Sequence, residues 1–211
     1  VQGGIGTTNE NRFLLEYYSL NGTGWGSPFL LVPEVTNVDE ETLKQLSSAE
    51  KEDFYLSDAS PLGIPFHNFR KSSSEKQKRD RIEKGRPGSP CYKKFLSFNT
   101  EFSSEPICTA SREYQNLKIK QLKESRLGGT EELFEKEVSK ITQKDCICEG
   151  LSSGALLKNN IPVLHELSAV IICPGPNLAY FSGIFSLKEM VDHIYGRYNI
   201  LNSLNRPNMF F

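Results

Sequence analysis

The sequence predicts an α/β fold: the C-terminal strands and helices of a (β/α)8 barrel, followed by an α-rich appended region. Three observations predict it. Strand-like and helix-like runs alternate over the first third of the chain. Glycines crowd the ends of two successive strand-like runs, first Gly3, Gly4 and Gly6, then Gly22, Gly24 and Gly26. The second half reads mostly as helix. Glycines at strand ends let backbone N–H groups approach an anionic ligand, and the last two βα loops of a barrel commonly share one phosphate site.

The elements follow in order. Residues 1–5 read as a strand. Thr8 or Asn9 caps a helix through Phe13, Leu14 and Tyr17, whose spacing is helical. Asn21 to Gly26 is a turn and Phe29–Val32 a buried strand. Asn37 or Asp39 opens a second helix with Leu43 and Leu46 on its apolar side, its first turn acidic at Glu40 and Glu41. Phe54-Tyr55-Leu56 is short and β-prone, and a turn-rich loop runs from Ser60 to Pro65. Lys71 to Lys84 is nearly all polar and is either an exposed helix or a linker, with a solvated face as its plain reading. A loop dense in turn residues joins Gly85 to Cys91.

Thr109 or Ser111 caps a helix through Leu117, Ile119 and Leu122 that ends near Gly128-Gly129. Thr130 opens another, and residues 151–158 read as helix. Ala169–Cys173 reads as a buried strand stopped by Pro174-Gly175-Pro176. Ser186 with Glu189 fits a capping box for a last helix through Met190, Val191, Ile194 and Tyr195. The division expected from composition is residues 1–84, the barrel part, and 85–211, an α-rich domain or lid.

Composition narrows the function classes. The 211 residues carry 25 Lys and Arg against 26 Asp and Glu, a formal net charge of −1, so no basic field invites nucleic acid or an anionic membrane. No apolar run approaches the ~20 residues of a membrane span, and no cleavable leader is seen. Five cysteines, an odd number, argue against a disulfide scaffold and for a reducing, cytoplasmic setting.

The order GGIGT, helix, GTGWGSPFLLVPE resembles the last two barrel strands of the nitronate monooxygenase (2-nitropropane dioxygenase-like) family of FMN-dependent enzymes. In that family a GGI-type and a GTRF-type strand end together hold the flavin phosphate. Glu34 after the second strand, Asp53 before a β-prone run, and the loop PLGIPFHNFR continue the likeness, which covers about residues 1–70. The resemblance implies bound FMN, with Gly3, Gly4, Gly24, Gly26 and Ser27 at its phosphate. Gly26 and Ser27 take the place of the family's Gly-Thr pair, and Ser27 keeps the hydroxyl. Pro28 departs from the pattern, replacing a basic residue and removing an N–H. Trp25 either covers the flavin ring or fills core.

The same resemblance implies an oxidoreductase of monooxygenase type acting on a small-molecule substrate, with homodimer assembly left open. Its flavin-ring contacts and catalytic histidine belong to earlier strands, so the chain is expected to be a C-terminal portion without full turnover alone. None of His67, His165 and His193 is assigned as base. Residues 85–211 are left as a lid, a dimer contact or a substrate domain.

Two rival readings come from other residues. Cys91, Cys108, Cys146, Cys148 and Cys173 supply thiolates for zinc or an iron–sulfur cluster, with Cys91 and Cys173 beside prolines. Against it, no C-x2-C pair is present, and the end of an apolar strand is an ordinary place for a buried thiol such as Cys173. The other is a non-enzymatic interaction domain. Arg86, Lys93 and Lys94 are candidate anion contacts on exposed loops.

Overall fold

A computed structural model of the protein describes residues 1–125, 130–163 and 168–202. It is mostly helical. Among the described residues the seven α-helices are α1 (Thr8–Tyr17), α2 (Glu40–Ser47), α3 (Ser73–Glu83), α4 (Arg112–Glu124), α5 (Glu131–Thr142), α6 (Ile147–Lys158) and α7 (Leu187–Ile194). One two-stranded antiparallel hairpin joins β1 (Phe54–Ser57) to β2 (Phe66–Phe69). No barrel is present among the described residues, and none of their helices is long and apolar enough to cross a membrane.

The helix starts sit where short polar side chains meet amphipathic runs. Asp39, Ser111 and Thr130 accept from the backbone N–H three residues on, at the starts of α2, α4 and α5. Ser186 and Glu189 form the expected capping box on α7. The α1 cap is Thr7 rather than Thr8 or Asn9, because Glu10 stands three residues after Thr7 and closes a reciprocal box with it. The charged run is helix, not linker: Ser72 caps α3, which buries Ser74 and Glu75 and exposes Lys76, Arg79, Ile82 and Glu83. Residues 151–158 are the later turns of α6, which begins at Cys146. The expected end of α4 near Gly128-Gly129 lies outside the described residues.

Three expected strands are not strands, each for a local reason. Residues 1–5 reduce to a single parallel bridge, Gln2 to Gly24. Gly3 and Gly4 turn the backbone to φ +88° and +72°, out of the extended region, so no ladder propagates. Phe29–Val32 lies largely within a 3-10 helix, Ser27–Leu31. Pro28 presets a helical φ at its start and has no N–H for a ladder, while the apolar run satisfies either structure. Ala169–Cys173 is extended but unladdered. Val170 N–H donates to Ser73 Oγ, and Ile171 N–H donates to the carbonyl of Gly150 in α6. Helix ends supply its partners. Conversely, β2 falls within PLGIPFHNFR, a segment expected to be loop.

The chain forms two compact units, Val1–Tyr55 with Cys173–Phe211, and Leu56–Ile172. In the first unit, α2 packs on the Ser27–Leu31 turn, which packs on a second 3-10 helix, Pro176–Tyr180. Its core is Leu31, Val32, Leu46, Leu178, Phe181 and Met190, all without solvent exposure. In the second unit α4 packs against α5. There Phe69, Ala110 and Ile171 are buried. Gln115, also fully buried, donates to the carbonyl of Lys144 at 3.0 Å.

Candidate functional site

The two glycine segments meet in the first unit. Gly24 N–H donates to Val1 O at 2.8 Å and Gly3 N–H to Gly24 O at 3.3 Å, so the chain ends of two loops separated by α1 run side by side and parallel. Gly24 is required by that approach: a Cβ there would stand 2.8 Å from Cβ of Gln2. Gly4 and Gly26 each follow the bridge by two residues and are exposed. A Cβ at either would meet nothing within 4 Å.

The anion nearest the first loop is the chain's own. Glu10 Oε2 accepts from the N–H groups of Gly6 at 2.7 Å and Thr7 at 2.8 Å, which fills that part of the loop with a carboxylate. Ser27 Oγ accepts from Gly175 N–H at 2.7 Å, leaving its own proton to donate. Of the five residues expected at the phosphate, Gly3 and Gly24 thus spend their N–H groups on each other's strands. Gly4, Gly26 and the Ser27 hydroxyl proton have no recorded acceptor among the described residues.

The other residues of the resemblance serve the fold. Glu34 Oε1 accepts from Leu187 N–H at the start of α7, at 3.0 Å. Asp53 accepts from Glu50 N–H at 2.9 Å. Trp25 is half-buried, its ring 6.1 Å from that of His193 and edge-on. His193 is 3% exposed; its Nε2–H donates to Gly6 O at 2.8 Å and its Nδ1 accepts from Ile200 N–H at 3.4 Å. Asn177 adds a second tie to the loop, donating to Ile5 O at 3.2 Å. His67 is half-buried in β2, and His165 lies outside the described residues.

In the second unit the structure gathers four of the five cysteines. Three segments are tied together by hydrogen bonds that involve no thiol. Ser89 N–H donates to Ala110 O at 2.9 Å, Ser89 Oγ to Asp145 Oδ1 at 2.8 Å, and Lys93 pairs with Glu149 at 2.9 Å. These ties bring Cys91 and Cys148 near each other and near both Cys108 and Cys146. Burial pushes the Cys108 thiol up to about 11, and neighbouring Cys91 and Cys148 add to it. Burial likewise pushes Cys146 up to about 12, and it raises Cys148. Cys173 belongs to the first unit and is exposed, not buried as its apolar context suggests. Among the described residues, no three His, Cys, Asp or Glu side chains are arranged to hold a metal ion.

These thiols set an expected result. Alkylation with iodoacetamide near neutral pH should modify Cys173 first and Cys108 and Cys146 last, read by peptide mass spectrometry. A raised thiol pKa stabilises the fold below the ordinary thiol value near 9. That contribution is lost as pH rises through about 11 and 12, so the chain should lose stability in alkali over this window. Equal labelling rates for Cys108 and Cys173 in the folded protein would contradict the burial.

Asp145 is the polar centre of this unit. It is 4% exposed and accepts from Arg81 Nη2 at 3.0 Å, from Ser89 Oγ, from Ser74 Oγ, and from Cys146 N–H at 2.9 Å. Arg81 is part of a basic wall, within a charge run whose plain reading is a solvated face. The signal for it is spacing: Gln77, Arg81 and Lys84 recur at i, i+4, i+7, one face of α3.

No protein-family model, curated protein or solved structure matches the chain.

Proposed function

We propose that this chain carries part of the phosphate-binding side of an FMN-dependent oxidoreductase of the nitronate monooxygenase type that its first seventy residues resemble. The observation that carries this reading is the parallel meeting of the two glycine segments at Gln2 and Gly24, across an intervening helix. A parallel contact on either side of one helix, here a single bridge, is the relation expected between the last two strands of a barrel.

The residues fit the phosphate in part. The Gly4 and Gly26 N–H groups and the Ser27 hydroxyl are the donors left over, at the same end of the bridge. Open space over Gly4 and Gly26 suits close approach of a ligand to the backbone. Gly6 and Thr7 are occupied by Glu10, so they are not phosphate donors in this reading. The chain's own work is to bind and orient: α7 fixes the first loop through His193, and Gly175 fixes the rotamer of Ser27. Bound FMN would supply the redox chemistry.

Flavin fluorescence titration tests this. FMN is expected to bind at least about tenfold more tightly than riboflavin, since one good charge-assisted contact is worth on the order of 1.5–3 kcal/mol. Ser27→Ala should reduce the FMN preference and leave riboflavin unchanged. Equal affinities for the two flavins, or none for either, would end the reading.

A second reading has one specific observation in its favour: the gathering of Cys91, Cys108, Cys146 and Cys148. A thiolate-held zinc or iron–sulfur centre would use them after side-chain reorientation, with thiol protons released on binding. Metal analysis and the visible spectrum of anaerobically purified protein decide it. Less than a tenth of an equivalent of zinc or iron, after reconstitution, would dispose of it.

A further inference from the structure

The second unit contains a cleft of about 220 Å3, lined by Asp80, Arg81 and Lys84 from α3, Arg86 and Pro90 from the following loop, and Arg112 from the start of α4. We propose that this cleft binds the phosphate group of a small molecule.

Four cations and one carboxylate face it, a local balance of +3 in a chain whose net charge is −1. Converging like charges repel one another, and an anion seated among them removes that cost. Asp145 holds Arg81, whose Nη2 it shares with Ser89 Oγ at 3.2 Å. The buried Nε of Arg81 has no acceptor among the described residues. Lys84 and Arg86, both exposed, make no ion pair among the described residues. A guanidinium fixed at one edge with a donor left over is the usual arrangement for recognising a phosphate oxygen.

The walls are built, not incidental. Arg86 N–H donates to Arg81 O at 2.9 Å, which folds the loop back on α3. Ser89 bridges in parallel to Ser111, and Arg112 N–H donates to Ser89 O at 3.0 Å. Gly88, at φ +84°, lets the loop press on the α4 start; a Cβ there would stand 2.6 Å from the Arg112 backbone. Loop and helix are thus locked at the spacing that sets Arg86 and Arg112 on the same cleft. The size decides the class. A volume of about 220 Å3 is below the ~300–1,000 Å3 of pockets that enclose drug-sized ligands. It suits a phosphate with a short carbon skeleton or inorganic phosphate itself. This inference does not rest on the flavin reading, whose residues lie in the other unit.

Isothermal titration of the whole chain with inorganic phosphate and with methyl phosphate, against sodium chloride at matched ionic strength, is the test. Wild type should bind, and affinity should fall as salt rises. The double variant Lys84→Ala/Arg86→Ala should bind at least about tenfold more weakly with an unchanged far-ultraviolet spectrum and melting temperature, since both residues are exposed. Tighter binding of methyl phosphate points to an esterified ligand, and tighter binding of inorganic phosphate to the free ion. No heat beyond the chloride control, or a double variant that binds like wild type, overturns the proposal. Should that variant unfold, Arg86→Gln alone, expected to lose about threefold or more, carries the same decision.

Discussion

Asp145→Ala should lower the unfolding free energy by about 3–5 kcal/mol, the loss usual when one partner of a buried ion pair is removed. The carboxylate is 4% exposed and receives four donors from three parts of the second unit: Ser74 and Arg81 of α3, Ser89 of the loop, and the N–H of Cys146 at the start of α6. Alanine leaves all four facing a void, and a part-buried guanidinium without its counter-charge. Asp145→Asn preserves the volume and most hydrogen-bonding capacity but not the charge, and should lose less, about 1–3 kcal/mol. The double variant Arg81→Ala/Asp145→Ala should be less unstable than the sum of its parts, a coupling of about 0.5–3 kcal/mol. Urea unfolding, with midpoint and slope compared across the set, gives these values. A cost under 1 kcal/mol for Asp145→Ala would mean that the network does not hold this unit together.

The same carboxylate links stability to the proposed phosphate cleft. It fixes one edge of Arg81, so Asp145→Asn should weaken phosphate binding without touching any cleft-lining residue. The calorimetric arms described above read that effect directly.

How far the sequence speaks depends on the range of the interaction. Helix starts are set within four residues, and Asp39, Ser111, Thr130 and Ser186 cap the helices they were expected to cap. The strands depended on partners far along the chain, and there local chemistry won. Pro28 turned the apolar run Phe29–Val32 toward a 3-10 helix, and Gly3-Gly4 stopped the first strand after Gln2. The pairing of the two glycine segments was nevertheless legible, because glycine spacing either side of one helix carries it. The thiol gathering was legible only as a list of cysteines. What assembles it is Ser89 with Asp145 and Lys93 with Glu149, pairs separated by 56 residues each and carrying no mutual signal in a single sequence. The basic cleft hid in a charge run, since solvated and convergent cations share the same composition.

His193→Ala should cost about 3 kcal/mol, nearer the range for removing a buried aromatic ring than for a surface change. His193 is 3% exposed, and its ring lies edge-on between Trp25 at 6.1 Å and Phe181 at 5.6 Å. Its two nitrogens serve opposite roles, Nε2–H donating to Gly6 O and Nδ1 accepting from Ile200 N–H. The neutral tautomer with hydrogen on Nε2 is the one that meets both. Alanine therefore removes ring packing and orphans a buried carbonyl and a buried N–H together. His193→Phe separates the two losses: the ring stays, both polar groups lose their partner, and about 2 kcal/mol should remain. Thermal and urea unfolding of the two variants give the comparison. The consequence reaches the first glycine loop, because Gly6 O is its tie to α7, with Thr8 Oγ1 donating to the His193 carbonyl at 2.9 Å beside it. If that loop holds the flavin phosphate, His193→Phe should weaken FMN more than riboflavin at a temperature where the variant is fully folded. An equal change for both flavins would show that the tie supports the fold and leaves the phosphate contact alone.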